Sequence, residues 1–384
     1  MKNEIHRLGD YIREVDVRNK DLKVTNLLGV NLNKQFFPSI ANIIGTDLSK
    51  YKVIKKGQFG CKFMSVGRDG ILPISLLKND EFAIISSAYY AFEVIDDNIL
   101  SSDYLMMWLR RPEFDRQLWF YSGGDVRGGV NYRDFCEMPI IVPSIEQQRE
   151  IVSEYETISK RIKLNEQIIQ NLEATVQTLY HKMFVEGIDK ENLPEGWRIG
   201  TLGEVGEIIG GATPSTNNPL FWSDNGISWL SPADLSKGEF KFVSKGSKDI
   251  TELGYKSCST KMLPKGSILF SSRAPIGLMA ITADELCTNQ GFKSIIPKKS
   301  IGTEYVYYYL HSIKNRIIEE NTGSTFDEVS GQSMKEYIAI IPPESLTNRF
   351  SMLLKPIFNL QFVKEQQNIK LTELQSLLLA KMGR

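Results

Sequence analysis

The sequence predicts a mixed α/β (α+β) chain in which two similar globules are separated by two long antiparallel coiled-coil helices, a pseudo-twofold tandem repeat. Three observations predict it: a forty-residue apolar seam in mid-chain, a second such seam at the end, and matched residues that relate the two halves. The first seam lies in PSIEQQREIVSEYETISKRIKLNEQIIQNLEATVQTLYHKMF, from Pro143 to Phe184. Ile151, Tyr155, Ile158, Ile162, Asn165, Ile169, Leu172, Val176, Leu179 and Met183 alternate at spacings of four and three, the signature of a single helical stripe. No Pro or Gly interrupts the run between Ser144 and Glu186, and Ser144 with Gln147 reads as a capping box. Some forty residues at 1.5 Å each make a rod of roughly 60 Å. The one polar seam position, Asn165, either fixes register against a partner helix or faces solvent where the helix rotates.

The second seam lies within residues 336–384 and can be written Phe350, Leu353, Ile357, Leu360, polar Lys364 and Gln367, then Leu371, Leu374 and Leu378. Glu137 matches Glu336, Pro143 matches Pro342, Glu166-Gln167 match Glu365-Gln366, and Lys182-Met183 match Lys381-Met382, all at one offset. Two helices of similar length, each polar at mid-length, suit an antiparallel pair in which Asn165 meets Lys364 and Gln367. A buried polar seam residue fixes register at some cost in stability. Pro356 lacks a backbone donor and should kink the second helix or confine it to starting near there.

In chain order, residues 1–142 form the first globule. Short β-rich runs (LLGVNL, KKGQFGCKFMSVGRDG, FAIISSAYYAFEVI) precede a helix from Ser101 to Trp119, interrupted near Pro112. A glycine-rich loop, SGGDVRGGVNYRDF, and the strand MPIIVP then lead into the first long helix, residues 143–186. Residues 187–341 repeat that order: Gly187 ends the helix, short strands follow, a helix runs from Thr303 to about Glu319, and a loop leads to YIAIIP. The second long helix occupies residues 342–384. Leu202-Gly203 answers Leu8-Gly9, Lys265-Gly266 answers Lys56-Gly57, Tyr305 answers Tyr104, and Gly323 answers Gly124. A repeat of this period is two copies of a domain rather than a solenoid.

Composition is that of an ordinary globular protein, 42% hydrophobic and 24% charged, and 384 residues suggest two or three domains. The N-terminus has no signal-peptide character and no apolar run reaches membrane-span length, so a cytoplasmic protein without membrane association is expected. Cys61, Cys136, Cys258 and Cys287 are scattered and read as free thiols in a reducing compartment. Charge balances at 46 basic and 46 acidic residues, which argues against nucleic-acid binding by bulk electrostatics alone. Neither a Gly-x-x-x-x-Gly-Lys-Ser/Thr loop, a Gly-x-Gly-x-x-Gly turn, nor an Asn/Asp-Pro-Pro-Tyr/Phe run occurs. His6, His181 and His311 lie far apart on unrelated elements, which argues against a histidine metal site or triad. Asp96-Asp97 and Glu319-Glu320 read as solvated faces. Chemistry is not where this sequence points.

The order of parts resembles the DNA-specificity (S) subunit of type I restriction–modification systems over essentially the whole chain. The segments IVPSIEQQREIV, LEATVQTLYHKMF and LPEGWRIGTLGEV…GGATPS…FW…GISWLSPADL carry the resemblance, more closely in the second globule than in the first. It implies that each globule is a target-recognition domain reading one half of a bipartite double-stranded DNA target, with the paired helices holding the two apart. It implies a chain that catalyses nothing and binds no cofactor. Docked DNA adenine methyltransferase (modification) subunits would use S-adenosylmethionine, and restriction/translocase subunits would use ATP and magnesium, in a bacterial or archaeal cytoplasm. Two other readings stay open: the specificity subunit of a related system with a fused methyltransferase/nuclease partner, and a coiled-coil scaffold that binds proteins. The strand-rich heads weigh against the scaffold.

Residues 1–142 carry 19 basic and 18 acidic residues, and residues 191–340 carry 15 and 17, so any DNA-contacting surface must be local. Phosphate contacts would come from Lys55, Lys56, Lys62 and Arg68, and from the run Lys237, Lys241, Lys245, Lys248, Lys256, Lys261 and Lys265, unless that run is a solvated strip. Base reading needs forked donors and amides at loop tips. The candidates are Arg68, Arg127 and Asn131 in the first globule. In the second they are Thr213, Ser215, Asn217, Arg273 and Lys293, with Ser324, Thr325 and Lys335 of the same kind. Arg273 stands out because residues 191–340 hold only three arginines. It either reads a base or ties loops together. Asn217 and Asn218 could equally be turn residues.

Overall fold

The computed structural model describes residues 4–39, 46–121, 130–236, 238, 240–322 and 327–383. Contacts divide them into two units, one ending at Ile162 and resuming at Lys370, the other Lys163–Ile369. Each unit thus combines one globule with stretches of both long helices.

In the first unit an antiparallel sheet runs Ile12–Val15, Tyr90–Val94, Phe59–Cys61, Ile74–Leu76. Phe59 and Phe92, opposite each other in this ladder, stack at 4.7 Å and are fully buried. Pro112 divides the helical stretch into Ser102–Leu109 and Pro112–Tyr121, starting the second helix where a missing donor costs nothing. Strands Ile5–Arg7 and Pro139–Ile141 pair and bring the start of the globule to its end.

The second unit repeats this frame with one more strand: Gly206–Gly210, Lys293–Pro297, Ile268–Phe270, Met279–Thr282, then Phe242–Val243 in parallel. A second sheet, Trp222–Ser223, Lys248–Ile250, Ile227–Leu230, Cys287–Thr288, stands beside it. Strands Arg198–Thr201 and Ile338–Ile341 pair as Ile5–Arg7 and Pro139–Ile141 do. The repeat reaches single bonds. Leu8 N donates to Met138 O (2.9 Å) and Leu202 N to Tyr337 O (2.8 Å). The buried Tyr104 hydroxyl donates to Ile141 O, and that of Tyr305 to Ile340 O. At Gly9 the chain passes close to its neighbour, where a Cβ would stand 2.7 Å from Cys136 Cβ, whereas at the matching Gly203 the nearest atom, of Lys335, is at an ordinary 3.4 Å.

The first long helix is Ile145–Phe184, with Ser144 Oγ accepting from Gln147 N at 3.4 Å and Gly187 leaving it at φ +72°. Every residue of the expected seam is at least partly buried, and Asn165 is only 1% exposed. The helices run antiparallel within each unit. In the second, Asn165 faces Gln367 and Asn368, Glu173 faces Gln361, and Phe184 packs edge-on against Phe350 at 4.9 Å. In the first, Ser159 Oγ accepts from Gln375.

Two expectations for the second helix need correction. It starts at Glu344, well ahead of Pro356, and runs through it to Lys381, so Pro356 does not confine where the helix begins. Pro356 is exposed, and the carbonyl it leaves without a donor belongs to Met352, 71% exposed, so water can serve it. Its seam is also shifted. Leu353, Leu360 and Leu374 are 46%, 42% and 45% exposed, whereas Leu354, Phe358, Gln361, Glu365 and Leu379 are buried. Adjacent leucines offer two helical phases, and aromatic packing of Phe358 and Phe362 on Phe242 selects the second.

Each long helix is pinned to its globule by one buried polar residue at the same place in the repeat. Gln148 donates to Ile99 O and Pro143 O and accepts from Ser101 N. Thr347 donates to Ser300 O. Both residues are at most 1% exposed.

Candidate nucleic-acid interface

Four loops of the second globule converge on one charged cluster. Gly211 lies so close to the backbone of Thr288 and Asn289 that a Cβ would stand 2.2 Å from both carbonyl oxygens. Ala212 N donates to Thr288 O, Ser272 N to Gly291 O and Val329 N to Ser272 O, which laces the loops around residues 212, 272, 290 and 329 together. Within the 271–278 loop Ser271 Oγ donates to Pro275 O and accepts from Leu278 N, 2.7 Å each.

On this frame the Thr213 hydroxyl donates to Gln290, and Lys293 Nζ reaches Gln290 O at 3.4 Å, Ser272 Oγ at 3.5 Å and Glu328 Oε1 at 3.3 Å. Arg273 faces the other oxygen of Glu328 at 3.7 Å. Thr213, Arg273 and Lys293, far apart in the sequence, are thus members of one network. Gln290 and Glu328 complete it and carried no sequence signal, because only the fold brings positions 213, 290 and 328 together. The cluster has two cations, one carboxylate, an amide and hydroxyls. Arg273 keeps 39% of its side chain exposed and meets Glu328 only at ion-pair distance, while Lys293 at 15% is largely enclosed.

The other candidates are dispersed. Ser215 and Asn217 are exposed on the 211–218 loop, where Ser215 O accepts from Trp222 Nε1 and Asn218 caps the turn Pro219–Phe221. Lys245 is exposed and pairs with Asp249 at 3.1 Å; Lys335 is exposed on the short helix Gly331–Glu336. Lys248, Lys256, Lys261 and Lys265 are exposed. Lys241 is not: at 9% exposure it is buried, which corrects its place among the phosphate contacts. Lys237, Ser324, Thr325 and Arg127 lie outside the described residues.

In the first globule Lys55 and Lys56 are exposed beside the turn at Gly57, and Lys62 is half-buried. Arg68 is exposed, but its fork is engaged by Asp69 at 2.9 and 2.8 Å, which also holds the Asp69 carboxyl below its usual range. Asn131 caps the helix Tyr132–Cys136 in a reciprocal capping box with Asp134, so its side-chain oxygen has a structural partner. These two residues offer a ligand less than the sequence suggests. Of the register residues, Asn165 Nδ2 donates to Asn368 Oδ1 (2.8 Å) and Gln367 Oε1 (3.3 Å), and Lys364 Nζ also reaches Gln367 Oε1 (3.3 Å).

Among the described residues no group of His, Cys, Asp and Glu could hold a metal, and no helix is long and apolar enough to cross a membrane. His181 is exposed on its helix, and burial holds His311 below its ordinary value.

A family model described as the type I restriction modification DNA specificity domain matches residues 39–174 and 194–373. Among curated proteins, the type I restriction enzyme MjaIX specificity subunit of Methanocaldococcus jannaschii is 37% identical over 182 residues, 47% of this chain and 42% of that protein. The aligned stretch thus spans less than half of that relative. The HindI specificity subunit of Haemophilus influenzae is 23% identical over 98% of both chains. Among solved structures, the type I restriction–modification system S subunit from M. genitalium superposes with a TM-score of 0.58 at 14% identity, covering 99% of this chain and 95% of that one. That likeness is one of fold.

Proposed function

The chain belongs to the family of type I restriction–modification DNA specificity subunits, and on that premise we propose that it selects a bipartite target in double-stranded DNA for partner subunits and catalyses nothing itself. One observation carries the reading to residues: four loops of one globule converge to set Arg273, Lys293, Thr213 and Gln290 within a single network. A guanidinium fork matches the paired acceptors of a guanine edge, and an amide offers the donor and acceptor that an adenine edge requires. Lys55 and Lys56 in the first globule and the exposed lysines of the second supply phosphate contacts, which position the chain without reading sequence.

Each globule reads one half-site, and the helix pair sets the unread gap between them. A DNA adenine methyltransferase docks on the chain and carries S-adenosylmethionine; restriction/translocase subunits bring ATP and magnesium.

The test is a map of methylated adenines in the host genome with and without this gene. Loss of methylation at one split motif supports the reading and yields both half-sites. An unchanged map, with a methyltransferase expressed and co-purifying with the chain, overturns it. Arg273→Ala should then relax discrimination at one position of one half-site, by about 1–3 kcal/mol for a lost bidentate contact.

A further inference from the structure

Lys241 stands in the lysine-rich run that suggests phosphate contacts, yet it faces inward. Its carbonyl accepts from Ile281 N at 2.7 Å, which seats it at the edge of the five-stranded sheet just before the strand Phe242–Val243. The side chain leaves the sheet and enters the helix pair. There Nζ donates to Glu173 Oε2 (2.8 Å) on the first long helix, to Gln361 Oε1 (3.2 Å) on the second, and to the Tyr308 hydroxyl on the globule's own helix. The ring of Phe358 covers the ammonium at 4.1 Å.

The acceptors are themselves tied. Gln361 Nε2 donates to Glu173 (3.1 Å), and the Tyr308 hydroxyl donates to both Glu173 oxygens (2.9 Å). Glu365, one turn along the second helix, accepts from Lys241 N and Phe242 N at 3.1 Å each. One side chain therefore joins the sheet edge, both long helices and the globule's helix.

Apolar packing of Phe358 and Phe362 on Phe242 sets which face of the second helix meets the sheet, and charge-assisted hydrogen bonds to three elements add directional preferences that apolar contacts lack. A buried ion pair adds little net stability over apolar packing of equal volume, so its distinctive contribution is orientation. The strand whose backbone holds Lys241, Met279–Thr282, follows directly on the loop that carries Arg273. The first globule keeps its two buried lysines, Lys34 and Lys52, to partners of its own, with Lys52 facing Asp16 at 3.6 Å. Lys34 is taken by Asp115 of the same globule at 2.8 and 2.7 Å and by the Leu109 carbonyl.

We propose that Lys241 is a positioning residue that sets the angle at which the second globule is held on the helix pair, and hence the register at which its half-site is read; this rests on the bipartite reading above. The experiment uses the complex of the full chain with its methyltransferase. Binding is measured to duplexes carrying the mapped split motif with the native gap and with gaps one base pair longer and shorter. For K241M the preference for the native gap falls about tenfold, while the penalties for base changes within each half-site stay within about twofold of the unsubstituted chain; K241R restores most of the gap preference. Q361M, which removes one tie and leaves the Glu173 pair, moves the same ratio in the same direction and decides the matter if K241M does not fold. A lowered melting temperature with an unchanged gap preference overturns the proposal, as does loss of base discrimination. Failure of the bipartite reading would register separately, as an unsubstituted complex that prefers no split duplex at all.

Discussion

At the scale of single residues, the groups that matter most are those whose surroundings differ from what their neighbours in sequence suggest. Glu365 is one. Burial lifts its carboxyl to about 7 from 4.5, against the pull of two backbone amides and Lys241. For Glu173 burial also raises, but Lys241, Tyr308 and Gln361 outweigh it and bring the carboxyl below its ordinary value. A raised carboxyl contributes stability that is fully present below pH 4.5 and is lost as pH climbs through about 7. The unsubstituted chain should therefore lose, relative to E365Q, on the order of 2 kcal/mol of unfolding free energy between pH 5 and pH 8. Denaturant unfolding of both chains at the two values checks this; parallel pH profiles would refute it. Arg273 was legible from the sequence because arginine is scarce in its globule. The difference between Lys241, buried, and Lys245, exposed, was not. Four residues apart in one lysine-rich stretch, they flank the short strand Phe242–Val243, which presents one to the helices and the other to solvent.

At the scale of elements, helical periodicity and repeat matching carried most of the information. The first long helix has one apolar phase, so its seam was readable residue by residue, Asn165 included. The second has runs such as Met352-Leu353-Leu354 and Leu377-Leu378-Leu379, in which two phases compete, and periodicity alone cannot rank them. The tertiary contacts of Phe358 and Phe362 with Phe242 decide. Leu354→Ala should accordingly cost about 2–5 kcal/mol, while Leu353→Ala, one residue earlier, should stay within roughly 0.5 kcal/mol of the unsubstituted chain. Thermal melting of the two variants side by side discriminates the phases, and equal losses would mean that the seam is drawn wrongly. Strand order was the part that sequence did not give. Both sheets pair strands distant in the chain, and the parallel additions at Phe242–Val243 and Cys287–Thr288 follow no local rule.

At the scale of the whole molecule, the duplication ties helix length to target geometry. If the helix pair is the ruler, its length and the unread gap are coupled, and the coupling can be calculated. Asn165 with Asn368, and Glu173 with Gln361, bracket a stretch of the pair free of Pro and Gly on both helices. Seven residues inserted into each helix inside that bracket preserve the polar contacts at its ends and keep the seam on one face, since seven is close to two turns. The pair lengthens by about 10 Å, which equals about three base pairs of duplex. Those base pairs also rotate one half-site by roughly 100° relative to the other, so binding weakens as the preferred gap grows. The half-sites themselves do not change, because no loop that reads them has moved within its globule. Methylation mapping of the double insertion should return the same two half-sites with a longer gap. Insertion into one helix alone should abolish methylation, because every contact beyond the insertion is displaced by two turns. Altered half-sites with an unaltered gap would mean that the helices do not set the distance.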